Sequence, residues 1–183
     1  MVESAGEFRR ILVVKIRALG DTLLATPALA ALRAGFPRAR ITCLVSPAGA
    51  EVLGANPHLD AVWVYRREQT GLVETWAWRR RLRAERFDLA VVLHASFRTA
   101  LLARLSGARV RVVHNHSGRN HFSTVTLRAP KVSKSAIERD LDAVRALGLE
   151  RTSTRLVFPL QRKDREAAQA FLTARGLGGK RPF

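Results

Sequence analysis

Short apolar runs, each followed by a longer segment with helical spacing, constrain this chain more than any single residue does. Arg10–Ile16 (RILVVKI), Arg40–Val45, Ala61–Tyr65, Asp88–Leu93 (DLAVVL) and Val110–Val113 read as buried strands. Between them apolar residues recur on one helical face, as at Leu29, Leu32 and Phe36 and again at Leu101, Leu102 and Leu105. Strands alternating with helices require crossover connections, so the expected fold is α/β, a Rossmann-like parallel sheet with helices on both faces. The stretch from His114 to Lys134 lacks a period and is too long for an idle connection, so a binding loop is expected there, with a short strand at Thr124–Leu127. A helix over Ala136–Leu147 ends at Gly148, a strand is expected at Arg155–Phe158, and a last helix covers Lys163–Arg175. The 183 residues suit one domain, with a core over about 10–160 and, over 161–183, a helix and the start of an interdomain linker. A further domain is expected beyond "KRPF".

The first strand runs into "KIRALGDTLLATPAL". Asp21 is the sole carboxylate between Glu7 and Glu51, and it lies just past the carboxyl end of that strand, where parallel α/β sheets bind ligands. One reading makes Asp21 a helix N-cap. The other makes it a general base, which must be ionised before it accepts a proton, a form favoured by a helix N-terminus and by nearby cations. Pro27 cannot donate to the Leu23 carbonyl, so either the helix is kinked or a first turn at 21–25 gives way to a helix capped by Thr26. The loop has neither a dinucleotide fingerprint nor a P-loop pattern.

"ILVVKIRALGDTLLATPALAALRAGFPRARITCLVSP" resembles the opening of glycosyltransferase family 9, the lipopolysaccharide heptosyltransferases and their relatives. "FDLAVVLHASFRTALLARLSGA", "GARVRVVHNHSGR" and "AIERDLDAVRALGL" resemble later family segments in the same order. Where many relatives carry a histidine before the Val-Glu-Arg helix, this chain has Ser135 and Ala136; its fourth strand carries Val92, His94 and Ala95, and "SFRTALL" is closer to the second-heptose branch. The resemblance implies the N-terminal half of a GT-B enzyme, two Rossmann-like domains with the active site in the cleft. It further implies that Asp21 is the base, that the acceptor binds this half, and that ADP-heptose is bound mainly by a C-terminal half not included in these residues. No cofactor and no metal are implied. Residues expected at the acceptor are Arg17, Gly20 and Thr22 around the loop, Arg66, Ser96 and Arg98 after strands three and four, and Arg119 in the long loop.

Charge supports an anionic partner. Lys and Arg number 32 against 15 acids, a formal +17. Leu89–Ile137 contains no Asp or Glu but eight Lys or Arg and four His, which suggests an anion-binding wall suited to a phosphate- and carboxylate-rich acceptor of the lipid A–Kdo type. His114, His116 and His121 lie close in sequence without a Cys or carboxylate to complete a metal site, and are read as loop histidines. Residues 72–87 hold Trp76, Trp78 and five arginines; one reading is a helix lying on an anionic bilayer with its indoles at the interface, and the preferred one is a crossover helix burying Leu72, Trp76 and Leu82, its arginine face attracted to a membrane. Cys43, the lone cysteine, reads as a buried structural thiol. The first ten residues have no apolar stretch of the signal-peptide kind, and the expected place is the cytoplasm, with peripheral contact on the inner membrane. The rival reading is a basic, non-enzymatic binding module for nucleic acid or anionic glycolipid. Sparse aromatics and the absence of a groove-reading helix count against nucleic acid. A third reading is a degenerate transferase domain kept as a scaffold.

Overall fold

The computed structural model describes residues 8–66, 68, 71–94, 96–113, 122–127, 134–150 and 152–177. In chain order these form β1 (Arg10–Lys15), α1 (Leu19–Leu24), α2 (Thr26–Gly35), β2 (Arg40–Val45), α3 (Pro47–Leu53), β3 (Ala61–Val64) and α4 (Leu72–Ala84). There follow β4 (Leu89–Val92), α5 (Phe97–Leu105), β5 (Val110–Val113), β6 (Val125–Thr126), α6 (Ala136–Arg145) and α7 (Arg162–Ala174). The strands pair in the order β3-β2-β1-β4-β5-β6, every pair parallel. β1 is central, with Ile11 beside Ile41 on one neighbour and Leu89 on the other. The chain leaves β1 in one direction to build β2 and β3, then returns to β1's other edge to build β4. The crevice between the carboxyl ends of β1 and β4 is therefore the topological switch point, where open α/β sheets bind ligands.

Side chains alternate along β1 between two buried layers. Ile11 and Val13 enter the layer filled by α2, α3 and α6, with Leu29, Leu32, Val52, Leu141 and Val144. Leu12, Val14 and Ile16 enter the layer filled by α4 and α5, with Trp78, Leu82, Ala100 and Leu102. Burial on both faces explains why β1, β2 and β4 read as unbroken apolar runs without polar alternation. Cys43 belongs to the first layer; burial pushes its thiol up to about 12, with Lys15 opposing. Ellman's reagent is expected to leave the native thiol unmodified and to titrate it fully in denaturant. Rapid reaction in the native state would contradict that burial.

At Pro27 one helix gives way to another, as the second expected form has it, but Thr26 is not the cap: Ala25 holds that position and no side chain caps α2. α1 ends at Leu24, and α2 starts at Thr26 with proline in its first turn and Ala25 as the residue before it. The Leu23 carbonyl that Pro27 cannot serve accepts from the Thr26 hydroxyl at 2.8 Å. The same hydroxyl accepts from the Val157 amide at 3.0 Å, which fixes segment 155–158 to the junction. That segment is not the expected strand. It forms no ladder, and Leu156 and Phe158 are exposed. A second correction concerns α4, which buries Trp78 and Leu82 but leaves Leu72 90% and Trp76 58% exposed. No helix among the described residues is long and apolar enough to cross a membrane.

Candidate active site

The loop after β1 enters α1 through Ala18, whose backbone lies at φ 26°, ψ 138°, a sparsely populated region for a non-glycine residue. Asp21 sits in the first turn of α1, and Ala18, not Asp21, precedes the helix; no side-chain bond caps it. The N-cap reading of Asp21 is thus not realised. Its carboxylate is half-exposed and borders the crevice, close enough to His94 and Asp140 to influence both. Thr22 does not serve an acceptor. It is fully buried, and its hydroxyl lies 3.1 Å from the Arg17 carbonyl and 3.0 Å from that of Ala18, fastening the loop that carries Asp21. Gly20 and Arg17 are exposed, and a side chain built at Gly20 would meet nothing within 4 Å.

Across the switch point, β4 delivers Leu93, His94 and the head of α5. Ser96 caps α5 with its hydroxyl accepting from the Thr99 amide at 3.2 Å, while the Thr99 hydroxyl accepts from the Ser96 amide at 2.8 Å. Arg98 projects from the first turn, and Tyr65 at the end of β3 holds it. Nε donates to the tyrosine oxygen at 2.6 Å and Nη1 to the Thr75 hydroxyl of α4 at 2.9 Å. Ile16, Arg17, Tyr65, His94, Ser96, Arg98 and Thr99 line a pocket of about 270 Å³. Of the expected acceptor residues, Arg17, Ser96 and Arg98 therefore meet at one opening; Gly20 and Asp21 follow Arg17 in the first turn of α1 and do not line it. Arg66 is exposed just beyond Tyr65. Arg119, His114, His116 and His121 lie outside the described residues. A larger cleft of about 390 Å³ lined by Phe8, Phe36 and Leu149 is at the amino ends of β1 and β2, the far edge from these groups.

Three participants were not foreseen from sequence. Lys15 ends β1 facing the α6 layer, and its ammonium lies 2.6 Å from the Asp140 carboxylate and 3.4 Å from the Leu93 carbonyl. Both partners are almost wholly buried. Burial pushes the Asp140 carboxyl up, to about 6, against the lowering influence of Lys15; Arg139 also lowers it and Asp21 raises it. His94 is the third. Burial lowers its pKa first, the Arg17 and Lys15 cations lower it further, Asp21 works the other way, and Arg139 adds to the lowering. His94 is therefore neutral at pH 7, a donor–acceptor rather than another cation. Its imidazole NMR titration is expected to centre below the ordinary 6.5, and Arg17→Ala is expected to move it upward. A midpoint above 6.5 would contradict the geometry. The sign for stability follows: the neutral form is the one the fold accommodates, so this residue's contribution is full above its unfolded value and is lost as pH falls from there through its lower folded one.

The arrangement can hold an anion against Arg17 and Arg98 and present a hydroxyl beside a carboxylate. Residues 75–183 match the model of glycosyltransferase family 9 (heptosyltransferase). The chain belongs to glycosyltransferase family 9. Lipopolysaccharide heptosyltransferase 3 of Escherichia coli (strain K12) is 28% identical over 137 residues, which cover 71% of this chain and 40% of that protein. A family 9 glycosyl transferase of Veillonella parvula DSM 2008 superposes with a TM-score of 0.81 at 25% identity, over 97% of this chain and 52% of that one. The E. coli ADP-heptose LPS heptosyltransferase II superposes with a TM-score of 0.73 at 23% identity, over 94% of this chain and 52% of that one. The family 9 chain described by these 183 residues thus spans about half the length, or less, of the relatives it matches.

Proposed function

We propose that these residues are the acceptor-binding half of an inverting heptosyltransferase that uses ADP-heptose and an anionic inner-core lipopolysaccharide acceptor. Asp21 removes the proton from an acceptor hydroxyl as its oxygen forms a bond to the anomeric carbon; the bond from that carbon to the diphosphate breaks and ADP departs. The observation that supports this reading is the position of Asp21, an acid in the first turn after the central strand, at the switch-point crevice whose β4 side holds the arginine-lined pocket. Arg17 and Arg98 supply charge for acceptor phosphate or carboxylate. The bond from Tyr65 and Thr75 holds the Arg98 guanidinium ready, so less side-chain freedom is lost on binding. Gly20 leaves room for a sugar near the base, while Ser96 and Thr22 shape backbone. The scheme places the nucleotide sugar mainly on polypeptide beyond these residues, and the 183-residue chain alone is expected not to transfer sugar, because positioning both substrates supplies much of the rate. The test is heptose transfer to a Kdo-bearing lipid A acceptor by a polypeptide carrying both halves. Loss of turnover in Asp21→Asn with ligand binding retained supports the assignment; undiminished turnover overturns it.

A further inference from the structure

We propose that the outward face of α4 is a docking surface for an anionic lipid bilayer. This helix has two apolar sides. Trp78 and Leu82 fill the core layer beneath β1 and β4, whereas Leu72, Val73 and Trp76 are 90%, 77% and 58% exposed. Spacing places these three on one face with Arg79, Arg80 and Arg83, two turns further along and also exposed. The Arg80 guanidinium lies 5.5 Å from the centre of the Trp76 ring. The acids near this face are occupied elsewhere. Glu74 folds back over Gly71, and Glu85 is bound by Arg10 at 3.1 Å.

An apolar first turn followed by a cationic stretch of one sign is the pattern of a helix lying at a bilayer surface. Leucine, valine and indole enter the headgroup boundary while arginines meet lipid phosphates. A protein partner of ordinary surface would bring mixed charge to such a face, whereas an anionic leaflet matches arginines that, among the described residues of α4, share this face with no acid. The whole chain's +17 draws it to the same surface from a distance. The patch also adjoins the candidate site: Thr75, between Val73 and Trp76 in sequence, holds Arg98 on the pocket wall. A face bound to lipid would bring that pocket to the headgroup level. The inference does not depend on the sugar-transfer reading, because plain phospholipid vesicles contain no acceptor.

The experiment is sedimentation of the chain with vesicles of equal parts phosphatidylcholine and phosphatidylglycerol, against phosphatidylcholine alone, with brominated lipid as a quencher of tryptophan fluorescence. Binding is expected to need phosphatidylglycerol. It should weaken by about tenfold or more in Leu72→Ser/Trp76→Ser and again in Arg79→Gln/Arg80→Gln/Arg83→Gln, all surface changes that leave the core packing intact. Bromine should quench the wild type, and Trp76→Phe should remove that quenching while Trp63 and Trp78 remain. Absence of vesicle binding overturns the proposal, as does binding that survives the serine variant. Quenching that persists in Trp76→Phe would do the same. Equally tight capture by duplex DNA that needs the arginines but not Leu72 and Trp76 would mark a general polyanion surface and overturn it too.

Discussion

Lys15→Met should destabilise the fold by about 3–5 kcal/mol at neutral pH, because it leaves the Asp140 carboxylate buried without its counter-charge. For a chain of this size that corresponds to a melting temperature lower by roughly 10 °C, out of a total stability of about 5–15 kcal/mol. The deficit should depend on pH in a specific direction. Burial raises Asp140 to about 6 even beside the ammonium, so the folded state holds this proton more tightly than the unfolded chain does. Stability from this residue is full below its unfolded value and is lost as pH rises through the folded one. Removing Lys15 raises the carboxyl further, so the variant's deficit should be large at pH 7 to 8 and should shrink toward pH 5 as the carboxyl neutralises. Lys15→Met combined with Asp140→Leu should recover much of the loss, since an apolar pair of similar volume does not require desolvating charge. Urea titrations of the two variants across this range measure all of it. A single-variant deficit below about 1 kcal/mol, or one that does not change with pH, would mean that the pair is not buried as described.

The pair also shows where sequence reading stops. Strand boundaries were legible within a residue or two because each apolar run is short and ends at charged or turn residues; Arg40–Val45 and Val110–Val113 agree at both ends. The break at Pro27 was legible because proline's missing donor is a local fact. Lys15 and Asp140, however, are 125 residues apart, and nothing local announces a partner at that distance. Signals existed on each side separately. Lys15 continues a run buried on both faces, and Asp140 falls between Ile137, Leu141 and Val144 on the inward face of α6, so each position demanded a counter-charge. The face of α4 was misread because Leu72, Val73 and Trp76 satisfy helical spacing as well as Trp78 and Leu82 do. Which set turns inward depends on Tyr65 and Trp63, which pack against Trp78 from a separate strand end. Thr22 was misassigned because adjacency in sequence to Asp21 said nothing of its direction, and a helical neighbour points about 100° away. Arg98 was legible from topology, being at the head of the helix after β4, but its restraint by Tyr65 was not.

Asp21→Asn separates chemistry from architecture more cleanly than any other change in the site. The amide matches the carboxylate in shape and sits half-exposed in a helical turn that lacks any side-chain cap, so folding should be affected little. It cannot take a proton from a sugar hydroxyl. General-base catalysis contributes about 10²–10⁴ in rate, so kcat should fall by that factor, about 3–5 kcal/mol of transition-state stabilisation. KM for donor and acceptor should stay within about threefold, because the proton is transferred only at the transition state. Arg98→Met offers the opposite signature. It removes an anion contact made equally before and during reaction, so KM for the acceptor should rise while kcat changes less. Steady-state kinetics on the longer polypeptide, with circular dichroism to check folding, distinguishes the two. If Asp21→Asn turned over within about tenfold of the wild type, the hydroxyl proton would have to leave by another route, and neutral His94, which lines the pocket, is a group able to accept it.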